Sequence, residues 1–169
     1  MYYQDEFMKK DSGLTLCSGR QTAIGRIGIA ESGGVVTNLY FLDKAGDRIA
    51  ETGCSPLLDE AFRQLDAFLA GRIHAFSLPV ATEGTEFSLR VWRALLDIPY
   101  GGTASYGDIA VAAGAPGAAR AVGSACRRNP LPIIIPCHRV IGGDGRIGGY
   151  LGGTEIKRHL LDLERLNDR

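Results

Sequence analysis

The stretch Asn129-Pro-Leu-Pro-Ile-Ile-Ile-Pro-Cys-His-Arg-Val140 places a cysteine and a histidine directly after an apolar run broken by prolines. Proline fixes φ and has no backbone N–H, so Pro130, Pro132 and Pro136 exclude an ordinary helix or a central strand here. We expect an extended, well-braced span with Cys137 at its end. Two interpretations of Cys137 are open on this stretch alone. It is either a prepared nucleophile or a buried structural cysteine, and the second is the commoner state of a free thiol.

The length and composition are those of an ordinary globular protein. The chain has 169 residues, of which 45% are hydrophobic and 22% charged, enough for one domain or two small ones. There is no apolar run of membrane-spanning length and no secretory signal, so we expect a cytoplasmic protein that does not bind membranes. Four widely spaced cysteines argue against a disulfide framework. Cys17, Cys54 and His74 are not spaced as zinc ligands, and we expect no metal and no cofactor.

Positive charge is concentrated in one interval, although the net charge of the chain is zero. No acidic residue occurs between Asp108 and Asp144. The arginines of this interval are Arg120, Arg127, Arg128 and Arg139. A surface that attracts phosphate and excludes carboxylate is typical of a protein that binds a polyanion. The alternative is a chance imbalance on a solvated face.

The first half of the chain predicts a small α/β domain. Apolar residues alternate over 24–30, β-branched and aromatic residues are dense over 35–42, and Ser32-Gly33-Gly34 lies between them. This pattern predicts an antiparallel hairpin, and residues 14–17 are a candidate third strand. Ser55 and Pro56 then predict the start of a helix that ends at Gly71. We expect a linker over 79–84 and a domain boundary after residue 82.

The second half predicts four helices. The first covers 87–96, and Ser105 with Asp108 resembles a capping box that begins the second, over 106–113. Residues 114–117 break that helix, and a third follows over 118–128. Two short helices joined by a glycine-containing turn are typical of a helix-turn-helix, although plain helical bundles contain the same pattern. The third helix is almost entirely small residues and arginine, which favours close approach to phosphates or bases.

The last predicted helix covers 155–166. We expect Thr154 as its N-cap and Ile156, Leu160 and Leu163 as its inner face. Glu164 lies on the same helix and is a candidate site carboxylate, and the alternative is a solvated helical glutamate.

The neighbouring positions of Cys137 and His138 argue against a direct catalytic pair. Adjacent side chains of an extended chain point to opposite sides, so a water relay or a bend would be needed for the histidine to take the thiol proton. An imidazole with a carboxylate behind it is an established way to activate cysteine.

The segment Ile135-Pro-Cys-His-Arg-Val140 resembles the active-site signature of the O6-alkylguanine-DNA alkyltransferases, a family of DNA repair proteins. The resemblance is specific from about residue 85 to residue 166 and only general before that. The other matching motifs, in the family's order, are Phe87-x3-Val91-Trp92, Ile98-Pro99-x-Gly101, Ser105-Tyr106, Ala118-Ala-Arg-Ala-Val-Gly123, Arg128-Asn129-Pro130, Gly148-Gly149-Tyr150, Lys157 and Leu161-x2-Glu164.

This resemblance implies an α+β protein with two domains. Residues 1–82 would form a small N-terminal α/β domain, ribonuclease H-like and containing the hairpin. Residues 83–169 would form a helical C-terminal domain with a winged helix-turn-helix, which binds DNA and holds the active site.

The resemblance also implies a reaction. Cys137 would displace the alkyl group from O6 of guanine, or O4 of thymine, and keep it as a thioether, so each molecule would act once. His138 would take the thiol proton through a water molecule, with Glu164 orienting the histidine. Tyr106 would protonate the departing guanine, and Asn129 would brace the segment that carries Cys137.

The implied partner is double-stranded DNA carrying O6-alkylguanine, bound through the minor groove with the damaged nucleotide flipped out. The expected DNA-binding residues are Arg120, Ala119, Ala121, Gly123, Arg127 and Arg128. The expected substrate-pocket residues are Tyr150, Leu151, Gly152 and Val140. We expect a monomer in solution and leave cooperative assembly on DNA open.

Three features depart from the family pattern. About fifteen extra residues precede the first expected hairpin, Arg127-Arg128 is a doubled basic pair, and Leu151 stands where a smaller or polar residue is usual. Three rival classes are a helix-turn-helix transcription factor with a structural cysteine, a cysteine hydrolase, and an alkyltransferase-like protein that binds alkylated DNA without reacting. The intact Cys137 argues against the last of these.

Overall fold

The computed structural model describes residues 15–44 and 50–168, and it divides the chain into two compact units, 1–83 and 84–169. The extra N-terminal residues that the sequence singled out lie almost entirely outside the described part. No helix in the described ranges is long and apolar enough to cross a membrane.

A three-stranded antiparallel sheet forms the first described part of unit 1–83. Its strands are β1 (Thr15–Thr22), β2 (Gly25–Ser32) and β3 (Val35–Phe41), in that spatial order. The predicted hairpin is confirmed, and its turn is made by Gly33 and Gly34, both at positive φ, which glycine adopts without steric cost. The candidate third strand is also confirmed, and it continues to Thr22.

One helix, α1 (Pro56–Leu69), packs against this sheet. Its predicted start is confirmed, because the Ser55 hydroxyl accepts a hydrogen bond from the Leu58 N–H at 3.1 Å. The helix is amphipathic, and its buried side places Phe62 and Phe68 in the core. Gly71, with φ of 68°, follows its end as predicted.

The prediction that 79–84 is simply a linker is wrong for its first half. The Val36 N–H donates to the Pro79 carbonyl at 2.8 Å, and the Ala81 N–H donates to the Val36 carbonyl at 3.0 Å. Val80 thus lies beside β3 as a parallel bridge. Two backbone hydrogen bonds are sufficient to hold a short segment at a sheet edge, and so short a pairing leaves no periodic pattern in the sequence.

Unit 84–169 is mainly helical. Its elements are α2 (Glu86–Leu96), β4 (Ala104–Ser105), α3 (Tyr106–Ala112), α4 (Ala119–Arg127), a 3₁₀ turn (Cys137–Arg139), β5 (Val140–Ile141) and α5 (Thr154–Asn167). Helix α2 packs against α3, α4 and the 3₁₀ turn. The indole N–H of Trp92, on α2, donates to the Ala125 carbonyl on α4 at 3.1 Å. The predicted capping box at Ser105 and Asp108 is confirmed in both directions.

The prediction of an extended span before Cys137 is wrong. Residues 131–135 fold back in a tight turn, in which the Ile135 N–H donates to the Leu131 carbonyl at 2.8 Å. Ile133 takes a positive φ of 76°, which is unfavourable for a β-branched residue. Three prolines restrict the chain around this turn but do not keep it straight, because a single residue in the left-handed region is sufficient to reverse it.

The predicted details of the last helix are also wrong in part. Thr154 is the first helical residue of α5, and Gly153, at φ of 91°, precedes it without a side-chain cap. The buried face of α5 carries Lys157, Leu160 and Glu164, whereas Ile156 and Leu163 are only half-buried. An apolar pattern cannot predict this face, since charged side chains enter a core only when specific partners compensate their charge.

Candidate active site

Cys137 begins the 3₁₀ turn, and Asn129 fixes its position. The Asn129 amide Nδ2 donates to the Ile135 carbonyl at 2.9 Å and to Sγ of Cys137 at 3.2 Å, while its Oδ1 accepts from the Leu131 N–H at 3.0 Å. One buried side chain thus bonds both sides of the turn and the thiol itself. The structure brings Asn129 and Cys137 together as the sequence predicted.

His138 and Glu164 form a buried pair. Nε2 of His138 lies 2.7 Å from Oε1 of Glu164, and both residues are fully buried. Nδ1 of His138 has no hydrogen-bond partner among the protein groups described. A carboxylate at Nε2 fixes the tautomer in which Nε2 carries the proton, so Nδ1 presents its lone pair. The histidine therefore has a free basic nitrogen next to the cysteine in the chain.

Arg139 completes a charged cluster that sequence reasoning missed. Its guanidinium donates from Nε to Oε2 of Glu164 at 2.9 Å and from Nη2 to Oε1 at 3.0 Å, and from Nη1 to the Ile98 carbonyl at 2.7 Å. The sequence prediction placed this arginine on the polyanion-binding surface, and that is wrong. Arg139 is buried, and its positive charge is compensated by Glu164.

The thiol is protonated in the resting site. Burial raises the pKa of Cys137 to about 11, although the Asn129 hydrogen bond and the charge of Lys157 act in the opposite direction. Lys157 is itself buried, and burial lowers the pKa of its ammonium group. Its Nζ donates to the Val140 carbonyl and lies 5.9 Å from the centre of the Tyr106 ring. Lys157 matched a family motif in the sequence, but its burial was not predicted.

Tyr106 is positioned by a short parallel pairing of β4 with β5. Ala104 pairs with Val140 and Ser105 with Ile141, so the start of α3 lies beside the chain that leaves the catalytic turn. Burial, followed by the negative charges that Cys126 and Cys137 can acquire, raises the pKa of the Tyr106 phenol. The phenol therefore keeps its proton and can act as a donor.

Of these groups, Cys137 and Tyr106 line an open cavity of about 920 Å³. Its walls are formed by Tyr106, Ala119, Arg120, Gly123, Ser124, Cys126, Arg127, Cys137, Gly149, Tyr150 and Leu151. Of the predicted pocket residues, Tyr150 and Leu151 line it. Val140 and Gly152 are buried and are not part of its lining.

Four of the predicted DNA-binding residues line the same cavity, namely Ala119, Arg120, Gly123 and Arg127. Ala121 and Arg128 are exposed but lie outside its lining. Sequence reasoning missed Ser124, Cys126 and Gly149. Cys126 carries the clearest missed signal, since it is a second thiol on a helix already assigned to the site, and burial raises its pKa to about 12.

A cysteine beside a histidine–carboxylate pair is the arrangement of proteins that use a thiol as nucleophile. A family model for 6-O-methylguanine DNA methyltransferase, DNA binding domain, matches residues 86–166. The methylated-DNA–protein-cysteine methyltransferase of Mycobacterium leprae is 48% identical over 151 residues, which cover 88% of this chain and 92% of the relative. The constitutive enzyme of Bacillus subtilis is 45% identical, with 87% of this chain and 93% of the relative covered.

A crystal structure of the Mycobacterium tuberculosis OGT in complex with DNA has the same fold, with a TM-score of 0.83 and 46% identity, and covers 89% of this chain and 93% of that one. The chain belongs to the methylated-DNA–protein-cysteine methyltransferases, which are DNA-binding repair enzymes. The family predicted from the sequence is therefore confirmed.

Proposed function

We propose that this chain repairs duplex DNA by transferring the alkyl group of O6-alkylguanine, or of O4-alkylthymine, to Sγ of Cys137. One observation carries the proposal: the thiol lines the same cavity as Tyr106, and the next residue in the chain, His138, is paired with the buried Glu164. A nucleophile and an acid thus share one space, and a base follows the nucleophile directly in the chain.

The proposed step is a direct displacement at the alkyl carbon. A bond forms between Sγ and that carbon while the bond from carbon to O6 breaks, and the bonding electrons remain with guanine. The thiol proton passes to Nδ1 of His138 through a water molecule. Tyr106 gives a proton to the departing guanine and recovers one from His138, so the proton lost by sulfur balances the proton gained by the base.

The protonation states of the site support this order of events. A thiol with a pKa of about 11 is not ionised at rest, so its proton must leave as the alkyl carbon approaches. Burial lowers the pKa of His138, which keeps the imidazole neutral and able to accept. The raised pKa of Tyr106 keeps the phenol protonated, so that it can donate a proton to guanine.

Helix α4 supports the proposed mode of DNA binding. Its buried side is formed by Val122 and Ala125, and its open side carries Arg120 and Arg127 without an acidic residue. We propose that α3 and α4 form a helix-turn-helix, with the segment after β5 as its wing. Small residues on α4 suit the narrow minor groove, and Arg120 would occupy the space of the flipped nucleotide.

A thioether offers no leaving route that restores the thiol, so we propose one turnover per molecule. We also propose two domains, 1–82 and 83–169, of which the first has a ribonuclease H-like fold. The protein would be a monomer in solution and would be located in the cytoplasm. The doubled pair Arg127-Arg128 would strengthen phosphate contact, and Leu151 would add apolar contact for the alkyl group at the cavity rim.

The decisive experiment weighs two tryptic peptides after incubation with duplex DNA containing O6-methylguanine. Trypsin releases Cys137 in peptide 129–139 and Cys126 in peptide 121–127. We expect one methyl group on the first peptide, in an amount equal to the methyl lost from DNA, and none on the second. An unmodified 129–139 peptide after long incubation would refute the proposal. A methyl group on peptide 121–127 would show that Cys126, and not Cys137, accepts the alkyl group. Cys137→Ser is the inactive control.

A further inference from the structure

Each of the three guanidinium nitrogens of Arg139 makes a hydrogen bond inside the protein. Two nitrogens bind the two oxygens of Glu164, and the third binds the Ile98 carbonyl. Only 8% of its side chain is exposed. The guanidinium is therefore not available to a DNA phosphate, and its role must lie in the buried cluster.

Glu164 receives hydrogen bonds from three residues, which lie in two separate parts of the chain. The Gly101 N–H donates to Oε2 at 3.1 Å, His138 contacts Oε1, and Arg139 contacts both oxygens. Burial raises the pKa of this carboxyl group, but the hydrogen bonds from His138 and Arg139 outweigh that effect and lower it to about 2. Glu164 is thus a fixed negative charge, and Arg139 is a fixed positive charge beside it.

The charge of this cluster depends on His138. With a neutral imidazole, Glu164 and Arg139 compensate each other. With a protonated imidazole, the buried cluster carries an uncompensated positive charge, and Lys157 from α5 adds to the repulsion. An unpaired buried charge is costly, so the neutral imidazole is favoured. His138 also follows Cys137 in the chain and makes an edge contact with the Tyr150 ring, whose centre is 6.3 Å away.

We infer that Arg139 is a positioning residue for alkyl transfer, which holds the Glu164 carboxylate in place and keeps His138 uncharged until the thiol proton arrives. This inference rests on the proposed function, because it assigns Arg139 a task only if His138 is the base. The same cation makes proton acceptance transient. Once protonated, His138 shares its carboxylate with a competing guanidinium, which favours passing the proton on to Tyr106.

Arg139 also connects the proposed base, His138, with the loop that leads to the proposed acid, Tyr106. Through Ile98 and Gly101, Arg139 and Glu164 hold the loop between α2 and β4, and Tyr106 follows β4 directly. Loss of the guanidinium would therefore affect both ends of the proton path.

The first test uses the unmodified protein and does not depend on activity. The chain contains only three histidines, His74, His138 and His159, so ¹⁵N spectra of the imidazoles can be assigned by single replacements of His74 and His159. We expect His138 to titrate well below the ordinary histidine value of about 6.5. Titration of His138 at or above that value would overturn the inference, even if alkyl transfer is fully confirmed.

The second test compares Arg139→Met with Arg146→Met. Arg146 is an exposed arginine that pairs with the exposed Asp144, and it serves as the matched control. In Arg139→Met, the acid limb of the transfer rate should move up by about 1 to 3 pH units, because a nearby cation no longer opposes protonation of His138. Arg146→Met should leave the profile unchanged. A folded Arg139→Met protein with an unmoved acid limb and an unmoved His138 titration would reduce Arg139 to a structural role.

Arg139→Lys separates charge from geometry. It keeps the cation but loses the two-point contact with Glu164, so we expect a slower maximal rate with the acid limb near that of the unmodified protein. An acid limb displaced as far as in Arg139→Met would contradict the electrostatic part of the inference. Failed alkyl transfer in the unmodified protein would refute the proposed function and leave the His138 titration as an independent result.

Discussion

Replacing Asn129 with alanine should destabilise unit 84–169 and slow alkyl transfer. The side chain satisfies the Leu131 N–H, which has no other partner in its buried turn, and it shares the Ile135 carbonyl with the Cys137 N–H. An orphaned buried donor costs about 1 to 3 kcal/mol and the weakened carbonyl contact about 1 kcal/mol, so we expect a loss of about 2 to 4 kcal/mol in the free energy of unfolding. The lost contact with Sγ should also raise the pKa of Cys137 further.

Urea titration followed by tryptophan fluorescence measures this loss directly. Trp92 is the only tryptophan of the chain and is buried in unit 84–169, so its signal reports that unit alone. Asn167→Ala is the matched control. Asn167 makes one side-chain hydrogen bond, to the Leu163 carbonyl at the exposed end of α5, and its loss should change stability by about 0.5 kcal/mol or less. If Asn129→Ala costs no more than Asn167→Ala, the bracing role is refuted.

Three further perturbations test the acid, the DNA-binding helix and the buried carboxylate. In Gly148→Ala the new Cβ would lie 2.7 Å from the Tyr106 hydroxyl, so the phenol must move and transfer should slow about as much as in Tyr106→Phe. Arg120→Ala should slow repair of duplex DNA by about tenfold or more while leaving reaction with free O6-benzylguanine nearly unchanged. The pKa of Glu164 is about 2 in the folded protein, against an ordinary value of 4.5. Its ionised form therefore stabilises the fold by about 3 kcal/mol above pH 4.5, and this contribution is lost as the pH falls towards 2.

Each of these expectations has a result that contradicts it. Gly143→Ala is the control for Gly148→Ala, because a Cβ at 143 meets nothing within 4 Å and Gly143 is not part of the cavity lining, and equal slowing in the two variants would exclude a specific effect on Tyr106. Equal slowing by Arg120→Ala on duplex and free base would remove Arg120 from nucleotide displacement. Unfolding curves at pH 7 and pH 3 test the carboxylate, and an unchanged pH dependence in Glu164→Gln would assign the acid sensitivity to other groups.

The elements that the sequence predicted well are those with local causes. Ser55, the capping box at Ser105 and the glycine pair at 33–34 determine chain direction through hydrogen bonds and dihedral angles within a few residues, so their signals are legible without a structure. Cys137 and His138 were found because they are contiguous in one motif. The roles of Tyr106, Asn129 and Glu164 came from the family resemblance, because these residues lie outside that motif in the chain.

The features that escaped prediction depend on distant partners. Lys157 can be buried because it donates a hydrogen bond to the Val140 carbonyl, and Glu164 because it pairs with His138 and Arg139. These partners lie far from α5 in the sequence, so the residues around α5 do not indicate them. In the sequence, Arg139 looks like another surface arginine. Only the fold shows that it pairs with Glu164, which lies 25 residues away in the chain. The turn at Ile133 escaped for another reason, because prolines indicate restricted dihedral angles without giving the direction of the chain.

The burial of Cys137 has a consequence for the lifetime of the protein before it meets damage. With a pKa of about 11, roughly one thiol in ten thousand is ionised at pH 7, and oxidants and free alkylating agents react mainly with the ionised form. Only 3% of the residue is exposed, which restricts access further. If each molecule acts once, a slow background reaction is as important as a fast repair reaction. The burial of Cys137 thus protects the thiol from side reactions until the protein meets damaged DNA.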